Sequence, residues 1–165
     1  MTSTKTELIA HLTANNRSRH GYFEILKQAL VGNTLWMLLK QRDGSTTLAW
    51  ESLTETNGLW TADSYSSALP SMYPSAETAF EAACGAFPAI MAWKSYVERV
   101  QSTREKLRKF RRNLSPNDTL KVNGYAFTLV RRLIDSNGWI VMRDGTEMRL
   151  TGATFETAVK QACPA

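Results

Sequence analysis

The sequence predicts an α+β protein of two related lobes, each a helix, a three-stranded antiparallel meander and a closing helix, joined by a long central basic helix. Three observations carry that prediction. A ten-residue motif occurs twice, as SAETAFEAAC at 75–84 and TFETAVKQAC at 154–163. Other landmarks precede both copies in one order. Between the copies, residues 88–114 keep a helical apolar spacing without a break.

The chain is expected to divide into an N-terminal lobe at 1–87, a central basic helix at 88–114 and a C-terminal lobe at 115–165. STKTEL at residue 3 parallels STREKL at residue 102. The first amphipathic helix carries Leu8, His11 and Leu12, and the polar run NNRSRHG, with His20, reads as a turn after it. GYFEILKQALVGNTLWMLLKQRDG from Gly21 then matches GYAFTLVRRLIDSNGWIVMRDG from Gly124. Both have spaced leucines, a Gly/Asn turn, a tryptophan (Trp36, Trp139) and Arg-Asp-Gly.

In the second copy, alternation through Tyr125, Phe127 and Leu129, the turn at Ser136-Asn137-Gly138, the segment WIVM, the Asp144-Gly145 turn and TEMRLT describe the meander. Thr154 then takes the N-cap position of the closing helix, with Glu156 in its positive first turn and Pro164 at its end. The first copy differs by an insertion at about 46–74, expected to extend the sheet and continue as a long loop. Its aromatic residues either complete a small core or, with Asp63, present a protein-partner surface made of Trp50, Trp60, Tyr65 and Tyr73. Gly85 ends the first closing helix and Pro88 opens the long one. Along it, Tyr96, Val100, Thr103, Leu107, Phe110 and Leu114 form the stripe expected to face a core, and Ser115-Pro116 breaks it.

A formal charge of +5 is concentrated in that helix: residues 99–112 hold seven basic residues against Glu105, while the rest has thirteen basic against fourteen acidic. Arg104, Arg108, Arg111 and Arg112 fall along one flank beside Leu107 and Phe110, with Lys109 on the far side. Guanidinium forks bind phosphate bidentately, so the expected partner is a nucleic acid, DNA or RNA, or a nucleoprotein or nucleic-acid-handling host protein. Lys121, Arg131 and Arg132 extend the patch if they share its side. A solvated helix face and contact with an acidic protein surface are the alternatives. No RNP signature, GXXG clamp or zinc-finger spacing is present, so base reading is not argued.

The chain, of 165 residues and 43% hydrophobic, has the composition of an ordinary globular protein. Its apolar runs, such as Leu35 to Leu39, are far short of the roughly 20 residues that span a bilayer. With no secretory signal pattern in MTSTKTELIAHL, a cytoplasmic protein without a membrane partner is expected, as monomer or homodimer. Cys84 and Cys163 have no metal-ligand spacing and read as small buried residues at helix ends. Neither a P-loop nor GxGxxG, GxSxG or HExxH occurs, so no enzyme, cofactor or metal is expected. Asp63 meeting Glu55 or Glu51 across a hairpin is the one carboxylate pairing left for catalysis.

EILKQALVGNTLWMLLK, LTETNGLWTADSYSS, LPSMYPSA and a basic helix leading to a small β segment resemble uncharacterised small proteins carried by phages and plasmids. Such relatives tend to have an acidic cluster after the aromatic turn and cysteines near the proline; this chain has only Asp63 and no cysteine there. The resemblance implies a mobile-element accessory protein, a class that includes inhibitors of host defence of the anti-CRISPR or anti-restriction type. Such an inhibitor would dock through the insertion aromatics and the basic ridge.

Overall fold

The structure, a computed structural model, describes residues 4–20 and 24–164, the side chains of 16–20 excepted. The Gly21-Tyr22 landmark and the His20 side chain lie outside the described residues. In chain order the elements are α1 (Lys5–His20), β1 (Glu24–Val31), β2 (Thr34–Lys40), β3 (Thr46–Thr56), β4 (Leu59–Ser66), α2 (Ala76–Cys84), α3 (Pro88–Asn113), β5 (Thr119–Val122), β6 (Tyr125–Arg132), β7 (Gly138–Arg143), β8 (Thr146–Thr151) and α4 (Gly152–Ala162). The protein is α+β, with two antiparallel sheets of order β1-β2-β3-β4 and β5-β6-β7-β8. It divides within α3 into compact units Met1–Arg99 and Val100–Ala165.

Each sheet adds a fourth strand to the three-stranded meander, in the first unit as the expected extension by the insertion and in the second unit beyond expectation, and each fourth strand is joined through an Asn-Gly turn. Asn57-Gly58 has φ of 53° and 75°, Asn123-Gly124 of 51° and 80°. Two successive positive φ values suit a two-residue hairpin, whose twist matches that of the strands. Most of the 46–74 insertion is accordingly the β3–β4 hairpin, and only 67–75 remains outside regular structure. NNRSRH likewise is not a turn: helical hydrogen bonding carries α1 on to His20.

In the first unit, β2 is buried at every position from Thr34 to Leu39, because both faces of the sheet are covered. Leu35, Met37, Leu39, Ala49 and Leu53 pack under Leu8 and Leu12 of α1. On the other face Trp36, Leu38, Leu48 and Trp50 pack with Ala79, Phe80 and Ala83 of α2 and with Ile90 and Val97 of α3. The Trp50 ring lies 5.2 Å from Trp36, 5.0 Å from Trp93 and 5.7 Å from Tyr65 between centroids. Its Nε1–H donates to Glu98 at 3.0 Å, and the Ser52 hydroxyl donates to the same oxygen. Lys94 Nζ stands 2.8 Å from that oxygen. Burial pushes the Glu98 pKa up, but the Lys94, Ser52 and Trp50 donors and the Lys94 charge outweigh it and hold the carboxyl below its ordinary value.

The second sheet alternates. Leu120, Val122, Phe127, Leu129, Trp139, Val141 and Leu150 face Phe155, Ala158 and Val159 of α4, with Leu107, Phe110 and Leu114 beside them. Thr119, Lys121 and Ala126 on the other face are exposed. The α3 stripe therefore differs from the expected one. In the first half the buried line is Ile90, Trp93 and Val97, and Tyr96 stands 56% exposed. Only Leu107, Phe110 and Leu114 of the expected series join a core cluster.

The repeated motif is capped differently in its two copies. Ser75 caps α2 in a capping box with Thr78. Thr154 is not the cap of α4, because that helix begins at Gly152 behind Thr151, whose side chain makes no capping bond. Glu156 consequently sits past the first turn. Cys84 is exposed rather than buried, and Cys163 is half-buried.

Candidate nucleic-acid interface

The basic residues of α3 that belong to the second unit do not all point to one task. Arg104, Arg108 and Arg112 recur every fourth residue, are exposed, and have no ion pair among the described residues. Like charges at that spacing cost the helix a few tenths of a kcal/mol per pair. Lys109, on the far side, stands 3.6 Å from Glu105 with both side chains well solvated, a pairing worth little. Arg111 is half-buried and its Nη2 donates to Glu156 of α4. Its Nε is buried with no acceptor among the described residues.

Strand register separates the other three cations. At the irregularity after Leu129, Arg131 pairs with Ile140 and Arg132 with Trp139. Because Trp139 faces the core, Arg132 shares the side of α3 while Arg131 belongs to the opposite face, as does Lys121 beside Ala126. Arg132 Nη2 lies 3.0, 2.9 and 3.0 Å from the carbonyl oxygens of Arg111, Arg112 and Leu114, and its guanidinium carbon is 5.1 Å from the Trp139 ring centroid. It thus satisfies the carbonyls that α3 leaves open at its C-terminus.

Arg108, Arg111, Arg112 and Arg132 line one cleft of about 280 Å³ together with Leu133, Ser136 and Asn137 of the β6–β7 loop and with Gly138, Trp139 and Phe155. Gly138 fixes that loop. A Cβ there would meet the Leu150 carbonyl oxygen well inside van der Waals contact and Thr151 Cγ2 at 2.7 Å. The helix C-terminus contributes about −0.5 charge and Glu156 one more, so the four guanidiniums keep a surplus of roughly two to three positive charges. Sequence reasoning passed over Ser136 and Asn137, which it took as a turn only. A polar turn beginning four residues after an Arg-Arg pair is the signal that could have found them.

The insertion residues take structural positions. Trp50 is fully buried, so in the folded protein it cannot touch a partner. Tyr65 and Tyr73 pack against the same core cluster, and Trp60 packs against the α1 side with Lys5 Nζ 5.4 Å from its ring. Asp63 is exposed. Register sets Asp63 opposite Ser52, Glu55 opposite Trp60 and Glu51 opposite Ser64. Asp63 therefore lies on the other face of the sheet from both Glu55 and Glu51, and the carboxylate pairing considered for catalysis does not form. Glu51 is buried and accepts the Ser64 hydroxyl at 2.9 and 2.8 Å. Among the described residues, no three His, Cys, Asp or Glu side chains gather as a metal site, and no helix is long and apolar enough to cross a membrane. Compared with protein-family models, curated proteins and solved structures, the chain matches none.

Proposed function

We propose that the second unit binds the phosphate groups of a nucleic acid without catalysing a reaction on it. Arg108, Arg112 and the Arg111–Arg132 cleft are the centre of the site, with Arg104 extending it by one helical turn. The single observation that carries this function is the convergence of four guanidiniums on one cleft with, among the described residues, only Glu156 paired to them. A face that merely solvated the helix would not require three arginines at like-charge spacing. Arg131, Lys121 and Lys109 contribute long-range attraction rather than contacts in that cleft.

The test is a titration of labelled DNA and RNA oligonucleotides at several salt concentrations. Log affinity falls linearly with log salt, and Arg108→Glu with Arg112→Glu abolishes binding while circular dichroism stays unchanged. Salt-insensitive binding, or none at low salt, overturns the proposal.

In a second reading the chain is a phage- or plasmid-encoded cytoplasmic protein that docks on a host defence protein. Its support is the resemblance of the insertion and the exposed Met72 within 67–75, at 63%. A pull-down after nuclease treatment separates the two, because only a protein partner survives it.

The two units are further inferred to be copies of one helix, meander and helix pattern. Trp36 pairs with Ala29 and Trp139 with Arg132, each seven residues downstream of its partner, and both sheets are followed by a helix bearing the repeated motif.

A further inference from the structure

We propose that the arginine cleft receives the phosphate of one unpaired nucleotide, so that the nucleic acid bound by this protein is single-stranded. This inference rests on the phosphate-binding function proposed above and names its partner.

Size is the first argument. At about 280 Å³ the cleft is comparable to the small end of ligand pockets and takes one nucleotide-sized group. A duplex carries its phosphates on the outside of a stiff rod, which can lie across such a mouth but reaches inside only after a nucleotide has been unstacked and swung out. A single strand has no pairing to lose.

The donors are also fixed before any ligand arrives. Arg111 is tethered by Glu156, and Arg132 by the carbonyls of Arg111, Arg112 and Leu114 at and just beyond the end of α3 and by the Trp139 ring. Arg108 and Arg112, exposed and without an ion pair among the described residues, are the donors left free for a phosphate oxygen. Ser136 and Asn137 add uncharged hydrogen-bonding groups to the lining.

Ile134 supplies the third argument. It is fully exposed, at 103%, on the loop that provides Ser136 and Asn137. It follows the cleft residue Leu133 in the chain, and its solvent-exposed apolar side chain is free to contact the face of a base, as apolar wedges do in proteins that unstack nucleic acids. Gly138 at the end of the loop packs closely on Leu150 and Thr151 of β8.

Fluorescence anisotropy on the full chain tests this with a single strand of about twelve nucleotides and the duplex of the same sequence, from about 50 to 200 mM salt. The single strand is expected to bind at least about tenfold tighter than the duplex at equal salt, the penalty of extruding a paired nucleotide. Ile134→Ser, at a site with no packing to lose, is expected to weaken the single strand about three- to tenfold without altering the salt slope. Arg108→Gln should lower that slope by about 0.7. A duplex bound as tightly as the single strand, or an Ile134→Ser variant with unchanged single-strand affinity, overturns the cleft assignment. If both forms bind equally and the arginine variants weaken both, phosphate binding survives and only the single-strand assignment is lost. Absence of binding to either form overturns both.

Discussion

The first sheet has helices on both faces: α1 covers one, while α2 and the beginning of α3 cover the other. In the second unit, α4 and the end of α3 cover one face, and the opposite face keeps Thr119, Lys121 and Ala126 in solvent. The two units use their charge accordingly. In the first, Glu98 and Lys94 are drawn into the packing as partners of Trp50 and Ser52. In the second, Arg108 and Arg112 stay outside, and Arg111 and Arg132 are anchored at a cleft. One unit is built as a core and the other as a surface resting on a thinner core.

The sharpest way to break that comparison is to remove a tryptophan from each sheet. Trp50→Ala empties a site packed by Trp36, Tyr65 and Trp93 and is expected to cost about 3–5 kcal/mol in urea unfolding followed by circular dichroism. Trp139→Ala should fall at the low end of that range, about 3 kcal/mol, since the Arg132 side chain beside it can settle into part of the space. A larger loss at Trp139 would mean the second unit holds the denser core.

Next in size is Glu98→Ala, expected to cost about 2–4 kcal/mol because it strands the Trp50 N–H, the Ser52 hydroxyl and Lys94 together. The same carboxylate gives the first unit a pH dependence. Its pKa is held below the ordinary value of 4.5, so its contribution is complete above that value and is lost as pH falls through the lower folded value. Unfolding midpoints measured from pH 7 downward should drop for the wild type, while Glu98→Gln flattens the acid limb. An unchanged limb would show that the hydrogen bonds do not depend on the charge.

How much of this was legible depended on whether the signal was local. The α+β class and the long helix from Pro88 followed from spacing, Gly85 and Pro88, all of which act within a few residues. The fourth strand of each sheet carries a local signal too, in Asn57-Gly58 and Asn123-Gly124; the first falls in the insertion expected to extend the sheet, while the second precedes the repeated pattern, which does not include β5. The phase of the α3 stripe was not legible. Tyr96 continues the spacing as well as Val97 does, and only the packing of Trp93 and Ile90 decides between them. For the site, arginine identity and flank were readable from one helix. That Arg132 faces α3 while Arg131 does not depends on the irregularity after Leu129, a feature of pairing with β7 that no single strand reveals.

A smaller effect tests the loop on which the cleft depends. Gly138→Ala forces a Cβ against the backbone of Leu150 and Thr151, so the start of β7 must shift, at a cost of about 1–3 kcal/mol. Oligonucleotide affinity should fall with it, because Ser136 and Asn137 move with the strand end. Gly32→Ala, at a turn in the first unit where a Cβ meets open space, carries only the strain of its positive φ, about 1 kcal/mol, and should leave binding unchanged.

The smallest change sharpens the comparison most, since it sets stability against binding at one residue. Glu156 is about one-third exposed and is the acid paired to the cleft arginines. Solvent screens such a pair, so Glu156→Gln is expected to lower unfolding stability by no more than about 1 kcal/mol. It also removes one negative charge beside the site. If Arg111 serves the fold alone, stability falls and oligonucleotide affinity stays level. If it serves a phosphate, affinity rises severalfold while stability falls, and the gain shrinks as salt is added. The opposing signs cannot come from general loosening of the unit, because loosening lowers both quantities together.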